Sequence, residues 1–195
     1  MSFAENLQTG RVAESMIGKW MIKRGFSVLP VYELAEQRYK GPQLFSMDGE
    51  FVAPDMLAFK PGFPALFVEA KCKSGFTWSR KYGRFETGID FRHYMDYQRV
   101  AEKTGLPLWI LFLQQGGAVK DAPPDRPDSP RGLFGNEIKL LMARESHRHE
   151  NWGKGGMVYW SPTFPEENPA LRLIAEYDVI AEAKPPAFFA NGVLT

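Results

Sequence analysis

The stretch 51–73, FVAPDMLAFKPGFPALFVEAKCK, carries the most informative pattern of the chain. Two apolar runs flank a Pro-Gly turn, which predicts the two strands of a hairpin. Pro54 fits the first position of the earlier strand because it cannot donate a ladder hydrogen bond, and Asp55 follows it. Pairing of 55–59 with 65–71 brings Asp55 roughly level with Glu69. The pattern therefore predicts two carboxylates side by side on a buried sheet.

Glu69 and Lys71 form the charged end of the second strand. Side chains of a strand alternate between its faces and rise about 3.3 Å per residue, so these two share one face about 6 to 7 Å apart. A carboxylate at the end of a buried strand must be paired or must bind a cation, because it loses its hydration. Carboxylates are ligands that Mg²⁺ prefers, and a neighbouring lysine can orient an attacking water. Glu69 together with Asp55 thus indicates a metal site beside Lys71.

The PD pair at 54–55, thirteen intervening residues and the EAK triplet at 69–71 resemble the PD-(D/E)xK signature of the restriction-endonuclease-like nucleases. Holliday-junction-resolvase-like enzymes and related phage and bacterial nucleases belong to this superfamily. The resemblance covers about residues 10–114. It implies an α/β fold with an αβββαβ core, in which helices flank a mixed central sheet. It also implies a DNA nuclease of repair or recombination that uses Mg²⁺, with Mn²⁺ as a substitute.

The resemblance further implies a role for individual residues. Asp55 and Glu69, with the Ala70 carbonyl and Glu14, would hold one or two Mg²⁺ ions. Lys71 would position the water that attacks the phosphodiester. DNA is the implied substrate, and a homodimer is expected because cutting both strands of a duplex commonly requires two such sites.

Two predicted helices contribute further candidates. Apolar residues at helical spacing over 10–24 predict the first helix, and Glu14 lies at the edge of its apolar stripe. The alternative for Glu14 is a solvated side chain paired with a nearby Lys or Arg. A second helix is predicted over 90–104, with Tyr94 and Gln98 on its apolar face. The resemblance implies that a Gln or Tyr of this helix reaches the active site, and the candidates are Tyr94 and Gln98. For Gln98, a buried amide satisfied by the backbone is the alternative.

Basic and aromatic residues alternate over 71–85, where the chain has no acidic residue. Lys and Arg side chains contact backbone phosphates, and exposed aromatic rings can stack on bases. The stretch predicts a DNA-contacting loop directly after the lysine of the motif, and the alternative is a surface loop whose rings complete the core. The candidate DNA-binding residues are Lys73, Trp78, Arg80, Lys81 and Arg84.

The remaining core elements are a strand-prone segment at 26–34, a hairpin around 48–49 and a buried strand at 106–114. They complete the order helix, strand, strand, strand, helix, strand. Residues 1–115 are therefore predicted to form the nuclease core. Residues 116–195 are predicted to be a C-terminal extension packed on the same domain.

The predicted extension contains a proline-rich loop at 122–130, a helix over 137–147 and a short strand at 157–160. These elements could extend the sheet or shape a substrate groove. The resemblance does not reach them, and their role stays open.

Composition limits the class of protein. The 195 residues, 44% hydrophobic and 24% charged, suffice for one globular domain with a sizeable core. A formal net charge of +1 is no overall signature of nucleic-acid binding, so any such case depends on local patches. The single cysteine, Cys72, excludes an internal disulfide framework and a cysteine-cluster zinc site. We expect a cytoplasmic protein without membrane contact, since no signal peptide and no bilayer-length apolar run is evident.

These patterns together predict a Mg²⁺-dependent endo- or exodeoxyribonuclease. A second interpretation is a catalytically inactive nucleic-acid-binding or assembly protein that keeps the nuclease-like fold. A third is a carboxylate-pair hydrolase that acts on sugars, in which Lys71 has no evident role.

Overall fold

The computed structural model describes residues 3–31, 42–125, 128–151 and 155–183. Up to residue 104 they form the helix α1 (Phe3–Lys23), the strands β1 (Ser27–Pro30), β2 (Gln43–Ser46), β3 (Gly49–Val52), β4 (Met56–Phe59), β5 (Leu66–Lys73), β6 (Thr77–Ser79) and β7 (Arg84–Asp90), and the helix α2 (Phe91–Thr104). After it come β8 (Leu108–Gln114), β9 (Gly117–Ala118), β10 (Asp128–Ser129), β11 (Gly132–Glu137), α3 (Ile138–Ala143), β12 (His147–His149), β13 (Met157–Trp160), β14 (Arg172–Ala175) and α4 (Tyr177–Ala181).

The central sheet contains, among the described strands, six in the order β1-β4-β5-β8-β11-β14. β5 and β8 pair in parallel, because the chain crosses over through α2 between them, and the other neighbours are antiparallel. Helices flank this sheet. The predicted fold class, an α/β fold with a mixed central sheet between helices, is confirmed.

The two faces of β5 pack against different helices. Val68 and Ala70 belong to a core that also holds Ile17 of α1, whereas Phe67 packs on the opposite core with α2. Side-chain alternation therefore turns Glu69 and Lys71 toward α2. Both faces of this apolar strand are covered. The two charged residues at its end are therefore partly or fully buried.

The basic stretch 71–85 forms the end of β5, the strand β6 and the start of β7, which corrects the prediction of a loop. β6 and β7 are antiparallel neighbours with Trp78 opposite Phe85, and the described strands β12, β13, β7 and β6 form a second, smaller sheet in that order. The β-prone residues of this stretch pair through a turn over 80–83.

The later part of the chain also differs from the sequence prediction in places. The helix expected over 137–147 ends at Ala143, and 147–149 is the strand β12. β11 and β14 join the central sheet itself. Parts of the predicted segments lie outside the described residues: 32–34 of the first strand, 126–127 of the proline-rich loop, and 152–154 and 184–195 of the rest of the extension. Among the helices described, none is long and apolar enough to cross a membrane.

Candidate active site

Asp55 is fixed between β1 and β5 at the start of β4. The Val31 N–H donates to the Asp55 backbone carbonyl at 2.9 Å, and the Ala70 N–H donates to the carboxylate oxygen Oδ2 at 2.8 Å. Regular pairing of β4 with β5 begins only at Met56. The Asp55 side chain thus supplies the acceptor that the buried Ala70 N–H needs beyond the end of the ladder. Its carboxylate is held beside the strand that carries Glu69.

Glu69 is enclosed, with 1% of its surface exposed. Its Oε1 accepts a hydrogen bond from the Tyr97 hydroxyl at 2.6 Å and forms an ion pair with the Lys71 ammonium. Within the described part of the chain, its Oε2 is buried without a hydrogen-bond partner. A buried carboxylate oxygen without a partner costs free energy, so a cation or a ligand donor at Oε2 would be stabilising.

Lys71 is the positive centre of the site. Its Nζ pairs with Glu69 and lies 3.5 Å from the Tyr97 hydroxyl oxygen. Burial acts to lower the pKa of Lys71, but the carboxylate of Glu69 opposes it and the resulting pKa is well above the ordinary value. Lys71 therefore stays an ammonium at neutral pH and can donate hydrogen bonds or neutralise negative charge.

Tyr97 is a site residue that the sequence analysis missed. Burial, and then the charge of Glu69, raise its pKa well above the ordinary value, so it remains a hydroxyl that donates to Glu69. One helical turn earlier lies His93, whose ring centre is 6.4 Å from that of Tyr97. Burial and the charge of Lys71 lower the pKa of His93. The spacing of four residues between two polar aromatic side chains on a helix is the signal that could have indicated them.

Burial and a neighbouring carboxylate together shift the titration of Asp55. Burial, followed by the charge of Glu69, raises the pKa of Asp55 from 3.8 to about 8, although Lys71 and the Ala70 N–H act in the opposite direction. The Asp55 carboxyl therefore keeps its proton at neutral pH unless further positive charge approaches it.

Glu14 approaches the same charges from α1. Gly18, one helical turn later, faces β4 so closely that a Cβ there would lie 3.5 Å from the Met56 sulfur. Residues four apart share one side of a helix, which directs Glu14 toward the start of β4. Burial and then Glu69 raise the pKa of the partly buried Glu14, and Lys71 lowers it. The charge of Glu14 thus interacts with the charges of Glu69 and Lys71.

Gln98 takes a different direction from Tyr97. It hydrogen-bonds to Tyr94, whose hydroxyl donates to Glu145 at 2.6 Å. Successive helix residues point about 100° apart, so the turn of α2 that brings Tyr97 to Glu69 directs Gln98 elsewhere. The structure does not bring Gln98 together with the carboxylates.

The candidate DNA-binding cations occupy different surroundings. Lys73 is partly buried on the same face of β5 as the lysine of the motif, and burial lowers its pKa. Arg80 is exposed in the β6–β7 turn and pairs with Asp121. The Lys81 ammonium lies 5.0 Å from the centre of the Tyr82 ring.

Trp78 and Arg84 are less available than the sequence suggested. Trp78 packs edge-on against Phe85, with ring centres 5.1 Å apart. The Arg84 Nε donates to Oε1 of the buried Glu86 at 2.9 Å. Trp78 therefore completes the core, and Arg84 has a structural partner.

The carboxylates of the site are suited to a cation that keeps much of its hydration. In the ranges that the structure describes, no group of three or more His, Cys, Asp and Glu side chains is arranged to hold a metal ion. Mg²⁺ commonly takes one or two protein carboxylates and completes its shell with water and substrate phosphate. Asp55 together with the unpartnered Oε2 of Glu69 is a donor set of that kind.

No protein-family model matches the chain, and no curated protein sequence matches it either. Among solved structures, the chain is similar to Hjc, a Holliday junction resolvase of the archaeal hyperthermophile Archaeoglobus fulgidus. The identity is 13%, the match covers 76% of this chain and 86% of that chain, and the TM-score is 0.42. Both values are low, so a function for this chain has to come from its own residues.

Proposed function

We propose that this protein is a metal-dependent nuclease that hydrolyses phosphodiester bonds of DNA. The observation that carries the proposal is the meeting of Asp55, Glu69 and Lys71 at one end of β4 and β5. Two carboxylates and an ammonium form a polar centre in otherwise apolar strands. Strongly shifted pKa values, as at Asp55, cluster at functional sites.

Asp55 and Glu69 would hold Mg²⁺, with the Ala70 carbonyl and Glu14 as further candidate ligands. When bound, Mg²⁺ would supply positive charge for the scissile phosphate and would lower the pKa of an attacking water. Oε2 of Glu69, buried and without a partner among the described residues, is the protein atom that gains most from such a cation.

Lys71 would act as a charged donor that orients the attacking water and balances the negative charge of the transition state. It is unsuited to the role of general base, because its pKa is far above neutrality. Tyr97 would act as a positioning residue, since its hydroxyl donates to Oε1 of Glu69 and fixes this carboxylate against Lys71.

The test is cleavage of labelled linear, circular, single-stranded and branched DNA with Mg²⁺, with Mn²⁺ and with EDTA. We expect metal-dependent cutting that falls at least about 100-fold in Lys71→Met, because a preorganised donor at the transition state is lost. Lys60→Met is the matched control, since Lys60 lies near the β4–β5 turn and donates to the Arg24 carbonyl. Absence of cutting on every DNA, under every metal condition, would contradict the proposal.

A second candidate function is DNA binding without catalysis. It is favoured by one observation: Oε1 of Glu69 is already engaged by both Lys71 and Tyr97, so the carboxylate is partly neutralised within the protein. This function predicts DNA binding that is unchanged by EDTA and by Asp55→Asn, with no cleavage product.

A further inference from the structure

Five planar side chains lie one against the next on the smaller sheet, and we call them the planar column: Phe164, Arg84, Tyr82, His147 and Tyr159. The Arg84 guanidinium carbon is 4.0 Å from the centre of the Phe164 ring and 4.9 Å from that of Tyr82. The ring centres of Tyr82 and His147 are 4.7 Å apart. Those of His147 and Tyr159 are also 4.7 Å apart, and these two rings are parallel within 6°.

The strands beneath hold the column in place. Glu86 of β7 is 2% exposed. Its carboxylate accepts a hydrogen bond from the Arg84 Nε at 2.9 Å and lies 3.4 Å from the His147 Nδ1. Gly88, two residues later, faces Tyr159 across the sheet. A Cβ at Gly88 would lie 2.9 Å from the Tyr159 ring, so only a bare backbone lets that ring lie there. Buried charge and a required glycine make the column a built feature of the sheet.

The accessible end of the column is Phe164, which is 39% exposed and has the Arg84 guanidinium against one face. Tyr82 is 36% exposed and lies between Arg84 and His147 within the column. The Lys81 ammonium lies over the Tyr82 ring, and the turn sequence 79–84, SRKYGR, has three basic residues and no acidic one. Aromatic rings beside cations are how proteins bind single-stranded nucleic acid, because bases stack on the rings and phosphates contact the charges. Bases within a duplex are already stacked on each other and present mainly their edges.

The column is also close to the candidate active site along the chain. β7 leads from Glu86 directly into α2, which carries His93 and Tyr97. One strand thus connects the column with the helix that carries these two side chains.

We infer that the planar column binds unpaired nucleotides of a nucleic-acid strand, with a base stacked on its open end at Phe164 and phosphate contacts to Lys81. The part of this inference that concerns cleavage rests on the proposed nuclease function: the substrate would then be DNA with an unpaired segment beside the cut. The binding surface itself does not depend on catalysis.

The experiment is fluorescence anisotropy of a labelled thymidine oligonucleotide of about 20 nucleotides, and of a duplex of the same length, long enough to span such a site. EDTA is present, so that cleavage plays no part. Phe164→Leu removes the ring at the open end of the column and keeps an apolar side chain; Phe164→Tyr keeps a ring. Phe63→Leu is the matched control, because Phe63 is 64% exposed and has the Lys60 ammonium 5.6 Å from its ring centre.

We expect Phe164→Leu to weaken binding of the single strand about 10-fold, which corresponds to the loss of one stacked base, and to change duplex binding less than about 2-fold. Phe164→Tyr should bind like the wild type, and so should Phe63→Leu. Equal losses on single strand and duplex would overturn the inference. Equal affinities of Phe164→Leu and Phe63→Leu would also overturn it, and so would a wild type that binds neither probe.

The outcomes also separate this inference from the nuclease. Selective single-strand binding that depends on the Phe164 ring, in a protein that cuts no DNA, would support the column and contradict catalysis. Cutting that depends on Lys71, with single-strand binding unchanged by Phe164→Leu, would do the reverse. Thermal melting of each variant checks that the small sheet remains folded.

Discussion

Asp55→Asn should stabilise the metal-free protein at neutral pH, although it removes a residue of the candidate active site. In the folded protein the pKa of Asp55 is raised from 3.8 to about 8, chiefly by burial and then by Glu69. The folded state thus keeps a proton that the unfolded state releases between these two pH values. Stability from this group is greatest below pH 3.8 and is lost as pH rises toward about 8.

The magnitude follows from linkage. Over the roughly 3 pH units between 3.8 and neutrality, each unit costs about 1.4 kcal/mol, which gives about 4 kcal/mol at pH 7. Partial solvation of the carboxylate reduces this, and we expect Asp55→Asn to raise the free energy of unfolding by about 1 to 3 kcal/mol. The asparagine carbonyl oxygen can still accept the hydrogen bond from the Ala70 N–H, so the local backbone keeps its partner.

The assay is urea unfolding of wild type and Asp55→Asn in EDTA at pH 7 and at pH 5. The stabilisation should shrink by about 2 kcal/mol or less as the pH falls, because the cost of protonating the wild-type carboxyl on folding decreases with each pH unit toward its unfolded pKa of 3.8. Asp48→Asn is the control: it breaks an exposed ion pair with Lys103 and should change stability by less than about 1 kcal/mol. A destabilised Asp55→Asn at pH 7, or a stabilisation that does not depend on pH, would refute the argument from burial and the Glu69 charge.

Three further predictions concern the surroundings of the site and the column. Tyr97→Phe removes the hydroxyl that donates to Glu69 and should lower the single-turnover cleavage rate about 10-fold, with loss of about 1 kcal/mol in urea unfolding; an unchanged rate would exclude a positioning role. Glu86→Gln leaves the Arg84 guanidinium of the planar column without its buried carboxylate and should cost about 1 to 3 kcal/mol by thermal unfolding, whereas equal stability would mean that the carboxylate charge contributes nothing. Gly88→Ala should destabilise by about 1 to 3 kcal/mol and shift the fluorescence of the neighbouring tyrosine, because the added methyl overlaps the Val158 carbonyl; a fully stable Gly88→Ala would contradict this packing.

Local patterns were sufficient for the strands that carry the motif. The residues of β4 and β5 alternate or run apolar around a Pro-Gly turn, and a hairpin places its residues opposite each other through short-range geometry. For that reason the closeness of Asp55 to Glu69 could be predicted from their spacing. The helix over 90–104 was likewise predicted within one residue of α2, because its cap and periodic residues are neighbours in the chain.

The orientation of α2 was not predictable in the same way. Apolar or aromatic residues occur on several sides of this helix, so periodicity alone allowed Tyr94 and Gln98 as the inward pair. Packing on β3, β7 and β13 turns Tyr97 to Glu69 instead, with Tyr94 against Trp160. A rotation of about 100° separates neighbouring residues of a helix, and contacts distant in sequence choose among such rotations.

The motif and its elements thus follow from the order of residues alone, since strand alternation, turns and helical periodicity are short-range properties. The small sheet could not be predicted in this way, because β7 pairs with β13, about 70 residues later in the chain. Without that partner strand, the composition of the basic stretch 71–85 indicates a loop. The planar column joins residues 82, 84, 147, 159 and 164, which no spacing rule connects. Such surfaces arise only when long-range pairing brings distant side chains onto one face, and burial of Glu86 then fixes which of them meet.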